Sequence, residues 1–273
     1  MKNTSDNSSI IADITYTVNT GEKLINETFT TGGDARLNTG IYEQRRVSIQ
    51  NGRVSRTPLS LEVTGFQLAD HRSAVTNFLD PAQLESIYYP EVVDLVKRQT
   101  GASRALVFDH TLRSGNDSER DAQRLREVIL SAHNDYTEWS GPQRVRDILP
   151  EEAEDLLSRR FAIVQVWRPI DRPVVAHPLA LVHAQSVVAN DMIVAERRFP
   201  NRVGEIYRLC FSPEHRWFYF PNLQKDEAII FKVYDSEKDG RARFTPHTAF
   251  VDPTTPDDAP PRQSIEVRSL VFF

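Results

Sequence analysis

The chain has 273 residues, with 33 Lys plus Arg against 38 Asp plus Glu for a net charge of −5, and it is 40% hydrophobic and 26% charged. That balance excludes general disorder, and mild net acidity without a clustered basic stripe argues against a nucleic-acid binder. One cysteine, Cys210, excludes an intramolecular disulfide framework and a Cys-rich zinc site, and no stretch approaches the roughly 18 apolar residues of a membrane span.

Met1 to Ser9 is polar and lacks the apolar core of a secretory signal, so a cytoplasmic, soluble protein is expected. Ile10 to Val18 reads as a strand, Thr30 to Gly40 as a Thr- and Gly-rich loop, and Arg46 to Val63 as two short strands around the Asn51-Gly52 turn signal. Pro81 to Thr100 reads as a helix, because Leu84, Ile87, Val92, Val93, Leu95 and Val96 recur at near-helical spacing and Gly101 stops them. Ala105 to Asp109 is a short strand, and Ser114 to Asp121 is a charged, exposed loop. Pro142 to Arg160 is a second helical candidate, with Glu151 and Glu152 suiting a helix start and Arg159 and Arg160 an end. Beyond it, Phe161 to Trp167, Leu179 to Val187, Glu205 to Phe211, Trp217 to Phe220, Ala228 to Tyr234, His247 to Phe250 and Ser264 to Phe273 are short strands between turn residues. Such regular spacing predicts a sandwich or barrel, with Asp252 to Pro261 as a connecting loop inside a single domain spanning 1–273. Cys210 is expected to be buried and inert, and His215 beside Arg216 to be exposed.

Three clusters carry chemistry. His133 and Asp135 form an H-x-D pair, and on a strand residues i and i+2 share a face, so an imidazole and a carboxylate can meet one cation. His247 follows Pro246 and opens an apolar strand far along the chain. It would complete a two-His, one-carboxylate set that leaves coordination positions open for substrate and oxygen on Fe(II). Arg262, fifteen residues beyond His247, stands two before Ser264, so a guanidinium and a hydroxyl on one strand face can hold a dicarboxylate. Arg268 has the same parity, with pairing to Glu266 as its structural reading. Trp167 and Arg168 read as either cavity lining or core, Tyr136 as core or substrate contact, and His110 with Arg113 as a structural polar network. The charge run Glu119 to Glu127 reads as a solvated face.

The order H-x-D, distant His, then R-x-S is that of double-stranded β-helix oxygenases using Fe(II) and 2-oxoglutarate. Several runs resemble a fungal and bacterial secondary-metabolite oxygenase family that includes gibberellin desaturase, the aspergillic-acid hydroxylase/desaturase and a component of the cephalosporin 7-α-hydroxylase system. They include Phe108 to Arg113, His133 to Thr137, Val166 to Pro169, Pro178 to Leu181, His215 to Pro221 and Asp226 to Asp235. The tail, Phe244 to Phe250 and Pro261 to Phe272, is similar to the family most specifically. The resemblance implies a mainly β fold with flanking helices around a jelly-roll, cupin-like double-stranded β-helix, with an N-terminal region of about 100 residues packed on it. It implies Fe(II) and O2 at His133, Asp135 and His247, with 2-oxoglutarate at Arg262 and Ser264 and with Arg268 and Arg168 as rival anchors. His183 stands where the family pattern leads one to expect an acidic residue, and His177 is a similar departure; both bear on substrate contacts rather than on the metal set.

The expected function is oxidation of a small secondary metabolite, terpenoid-like or amino-acid-derived, by hydroxylation, desaturation or a related C–H oxidation. The sequence does not specify an oligomeric state, and a homodimer is the general prior for a soluble enzyme of this size. The competing readings are a catalytically silent accessory or binding subunit on the same scaffold and an oxygen-independent cupin-like isomerase or hydrolase.

Overall fold

A computed structural model describes residues 8–28, 36–123, 125–200 and 202–273. Its strands are β1 (Ser9–Val18), β2 (Leu24–Thr28), β3 (Arg36–Asn38), β4 (Ile41–Asn51), β5 (Phe66–Asp70), β6 (Arg104–Ser114), β7 (His133–Asn134) and β8 (Phe161–Pro169). There follow β9 (Leu179–Val182), β10 (Met192–Phe199), β11 (Arg202–Leu209), β12 (Trp217–Tyr219), β13 (Glu227–Asp235), β14 (His247–Ala249) and β15 (Gln263–Phe272). They form a ten-stranded sheet, β1-β4-β12-β9-β14-β7-β11-β10-β2-β3, and a five-stranded sheet, β5-β13-β8-β15-β6.

Alternation along the strands builds three layers. On one face of the smaller sheet, Ile163, Trp167, Ile229, Phe231 and Leu270 meet Leu179, Leu181 and Phe218 of the larger sheet. On its other face, Val164, Val166, Ile230, Ile265 and Val267 are covered by Val92, Leu95 and Val96 of the helix Tyr89–Thr100. The back of the larger sheet buries Ala132, Ala180, Val182, Leu209 and Trp217 with Ala12, Ile14 and Tyr16 of β1. The jelly-roll expectation therefore corresponds to two curled sheets with the site between them.

Local chemistry explains where the elements start and stop. Asp80 accepts from the Ala82 amide and Pro81 opens the first helical stretch, which passes through a π turn at Leu84–Tyr88 and ends at Gly101 in the left-handed region. The single helix expected over Pro142 to Arg160 is two, Ser140–Ile148 and Ala153–Leu157. Pro150 bars helical backbone at Leu149, whose ψ of 57° breaks the run. The expected hairpin at Asn51-Gly52 is absent. The Asn51 side chain accepts from the Arg53 amide and closes a 3-10 turn, Gly52–Val54, and β4 pairs with β1 instead. Gly52 answers a packing need: a Cβ there would lie 2.5 Å from the Phe220 ring.

Two exposure expectations are also corrected. The stretch read as a loop from Ser114 to Asp121 gives way to a largely exposed helix, Asp117–Gln123, with Ser114 buried and Glu119 accepting from Ser114 and Gln263. His215 is buried, donating from Nε2 to Asp191 Oδ2 over 3.1 Å and stacking on Tyr16, while Cys210 is half-buried. The loop read from Thr30 falls outside the described residues up to residue 35, as does Arg124 of the charge run.

Candidate metal and 2-oxoacid site

The site begins with a register. His247 of β14 stands directly opposite His133 of β7 in an antiparallel pair, and paired residues present their side chains to the same face. The two rings are 4.6 Å apart between centroids. Asp135, two residues beyond His133, returns to that face, and its Oδ1 is 3.4 Å from His133 Nε2. One ligand atom from each of the three residues lies within 4.8 Å of the others, so together they could hold a metal ion.

Surrounding groups turn the correct atoms inward. His133 Nδ1 is 2.9 Å from the Ser131 carbonyl and His247 Nδ1 is 3.0 Å from the Thr245 carbonyl. A carbonyl only accepts, so both rings carry their proton on Nδ1 and present a bare Nε2, the arrangement a metal-ligating imidazole needs. Burial, and His133 beside it, pull His247 down to about 4, which also keeps it neutral. Asp135 Oδ2 accepts from Gln165 Nε2 at 2.6 Å and Arg268 Nε at 2.9 Å, leaving Oδ1 for a cation. Burial alone would raise the Asp135 carboxyl, but the Arg268 guanidinium together with His133 and His247 outweighs it and holds the group well below the usual carboxylate range.

Asn134 is a site residue that sequence reasoning missed. Facing away from the ligands, it donates to the Val233 and Tyr136 carbonyls and accepts from the Thr245 amide at 3.1 Å. It thereby ties the segment entering β14 to β7. An Asn inside the H-x-D pair was the available signal, since a buried amide needs partners on both ends.

The four anchor candidates have different surroundings. Arg262 lies in a narrow cleft with His133, His247, Trp167, Arg113 and Glu266. Its guanidinium packs over Trp167 at 5.1 Å, and Nη1 donates to the His177 carbonyl at 2.7 Å. Its Nε is buried without a partner, as is the Ser264 hydroxyl. Burial, with Arg113 nearby, lowers Arg262 to about 9. A buried cation and hydroxyl with unused capacity fit a carboxylate of a 2-oxodiacid. His177, at φ 49°, holds the carbonyl that orients Arg262.

Arg268, expected as a rival anchor, is committed elsewhere. Besides Asp135 it donates to Asp109 Oδ2, Thr111 Oγ1 and Glu266 Oε1, the last at 2.7 Å. Arg168, the other rival, sits behind the smaller sheet. It donates to the carbonyls of Pro169, His71 and Lys225 and lies over the Phe78 and Tyr88 rings. The reason is parity: Arg168 alternates with Trp167, which faces the cleft. Arg113, read as part of a structural network, lines the cleft while donating to Glu266 Oε1 at 2.8 Å. His110 does belong to such a network, 2.5 Å from the Tyr89 hydroxyl, and Tyr136 is core. His183 is buried, its Nδ1 accepting from the Gln185 amide.

Residues 14–272 match the model of a family described as "Oxidoreductase/YMDC permease-like domain". No helix among the described residues is long and apolar enough to cross a membrane. The chain is 33% identical over 264 residues to the hydroxylase/desaturase CTB9 of Cercospora beticola, covering 89% of this chain and 81% of that one. It is 33% identical over 240 residues to the Fe(II)/2-oxoglutarate-dependent dioxygenase nvfI of Aspergillus novofumigatus, with 85% and 84% covered. A solved structure, the iron and alpha-ketoglutarate-dependent endoperoxidase NvfI, superposes with a TM-score of 0.85 at 28% identity, covering 97% of this chain and 98% of that one. The chain therefore belongs to the secondary-metabolite family of oxidoreductases that these fungal proteins represent, dioxygenases that depend on Fe(II), 2-oxoglutarate and O2.

Proposed function

We propose that His133 Nε2, Asp135 Oδ1 and His247 Nε2 ligate the iron, and that Arg262 with Ser264 receives the distal carboxylate of 2-oxoglutarate. The observation that carries this reading is the convergence of three ligand atoms within 4.8 Å, each turned inward by a hydrogen bond on its other polar atom. Bound there, iron supplies the activation of O2 that lets a C–H bond of a small secondary metabolite be oxidised. The protein's own contribution is orientation and exclusion of water. Arg268 and Gln165 fix the Asp135 carboxylate, the Ser131 and Thr245 carbonyls fix the imidazoles, and Trp167 and Leu179 wall the cleft. The substrate is a terpenoid-like or amino-acid-derived small molecule, and the enzyme works in the cytosol as one unit from the N-terminal strands to β15.

The test is conversion of 2-oxoglutarate to succinate with Fe(II) and O2, in wild type and in His133→Ala. Wild type forms succinate and consumes O2; the variant forms none. Undiminished succinate from His133→Ala would contradict the assignment.

A further inference from the structure

The inner face of the larger sheet continues past the ligands. Arg208 of β11 stands opposite His133 and shares its face. Across the β10–β11 pair, Ile193 opposes Arg208, Ala195 opposes Ile206 and Arg197 opposes Gly204, while Leu24 of β2 lies beside Ala195. Leu24, Ile193, Ala195 and Ile206 pack into an apolar floor of their own. Arg208 and Arg197 stand at its two sides.

Both arginines lack an acidic partner among the described residues. Arg208 is 5% exposed, yet its contacts are the Ser131 hydroxyl at 2.8 Å and the Tyr42 ring at 6.0 Å. Arg197 is half-buried and lies over the Phe199 ring at 5.3 Å. Burial lowers Arg197 to about 10; Asp135 opposes that shift, while Arg268, Arg208 and Arg126 add repulsion. A buried cation that is not neutralised by an acid is costly, and Arg208 with the half-buried Arg197 beside one apolar floor calls for an anion there. There is also room. Opposite Arg197, a Cβ on Gly204 would meet nothing nearer than the Arg197 carbonyl oxygen at 4.0 Å.

We propose that this floor is the substrate subsite and that it takes an apolar small molecule bearing a carboxylate, held by Arg208 and Arg197 with its apolar body on Leu24, Ala195 and Ile206 beside Asp135. The proposal deepens the oxygenase reading and rests on it for the identity of the ligand as substrate. Arg262 and these two arginines would then read two different carboxylates on opposite sides of the metal ligands, one from the co-substrate and one from the substrate.

The test uses the full chain, loaded anaerobically with Fe(II) and 2-oxoglutarate, and the probes octanoate and methyl octanoate. Probe binding is read by intrinsic fluorescence, and 2-oxoglutarate binding by its visible band with the metal. Wild type should bind octanoate about tenfold or more tightly than the ester, and Arg197→Gln and Arg208→Gln should each bring the ratio toward one with 2-oxoglutarate affinity kept within about twofold. Gly204→Val, a favourable strand substitution at a position of ordinary φ, should fill the space and weaken both probes alike without unfolding the chain. Equal binding of acid and ester to wild type would overturn the proposal. So would loss of 2-oxoglutarate rather than octanoate in the arginine variants, which would make them co-substrate anchors. Failure of the oxygenase reading looks different: no metal-dependent band in wild type, with the preference for octanoate intact.

Discussion

Two arginines of one face, one just before β15 and one in its middle, have opposite surroundings. At the middle of the strand, Arg268 is saturated: Asp135, Asp109 and Glu266 all accept from it. At the mouth, Arg262 has an aromatic ring, one carbonyl and a buried Nε with no partner. The same side chain thus serves two purposes. A cation with its carboxylates already present fixes a ligand of the site; one without them is available to a molecule that arrives.

Removing the saturated arginine should do most damage. Arg268→Leu leaves the Asp135 and Glu266 carboxylates buried without their shared cation, an expected loss of about 3–5 kcal/mol in urea unfolding. A loss under about 1 kcal/mol would mean that the network is ornamental to the fold. Arg168 on β8 offers a third case, held by carbonyls, the His71 ring and two aromatic faces rather than by carboxylates, and it reports through pH. His71 beside it is held neutral, at about 4, first by burial and then by Arg168 and Arg98. The folded value lies below the usual 6.5, so the unfolded chain takes up the proton first. Stability is complete above about pH 6.5 and declines by up to about 3 kcal/mol as pH falls to 4. His247 titrates in the same window, so His71→Gln should reduce that limb in unfolding curves rather than abolish it; an unchanged limb would remove His71 as a source.

Arg262→Leu should invert the pattern of Arg268→Leu. Deleting an unpaired buried cation leaves thermal stability equal or higher, while 2-oxoglutarate affinity drops about 10–100-fold. Reduced stability with unchanged 2-oxoglutarate affinity would place the anchor elsewhere. Gln165→Leu removes the smaller of the two donors to Asp135 Oδ2, and metal affinity should fall about tenfold with the fold intact. No change in metal affinity would leave orientation of Asp135 to Arg268 alone.

What could be read from the sequence follows from periodicity. His133 and Asp135 share a face because a strand alternates, and Arg262, Ser264 and Arg268 share one for the same reason. What each arginine touches was not legible, because it depends on how β15 lies against β6 and β8 and on which carboxylates are carried by distant strands. Arg168 illustrates the limit: it directly follows cleft-lining Trp167, and that single step sends it behind the sheet. Arg208 illustrates it again, since its place beside His133 comes from the β7–β11 register rather than from any local motif. The Asn51-Gly52 signal misled because the glycine there makes room for Phe220, a contact across 168 residues of chain. The break at Leu149, by contrast, is a local consequence of Pro150 and was open to the same reasoning that placed Gly101 at a helix end.

The most direct test of the central claim is anaerobic titration of the metal-free chain with Fe(II) in the presence of 2-oxoglutarate, beside the Asp135→Ala variant. The account predicts one iron per wild-type chain, a visible band that grows with it, and neither in the variant. Iron bound with the same stoichiometry and the same band by Asp135→Ala would contradict it.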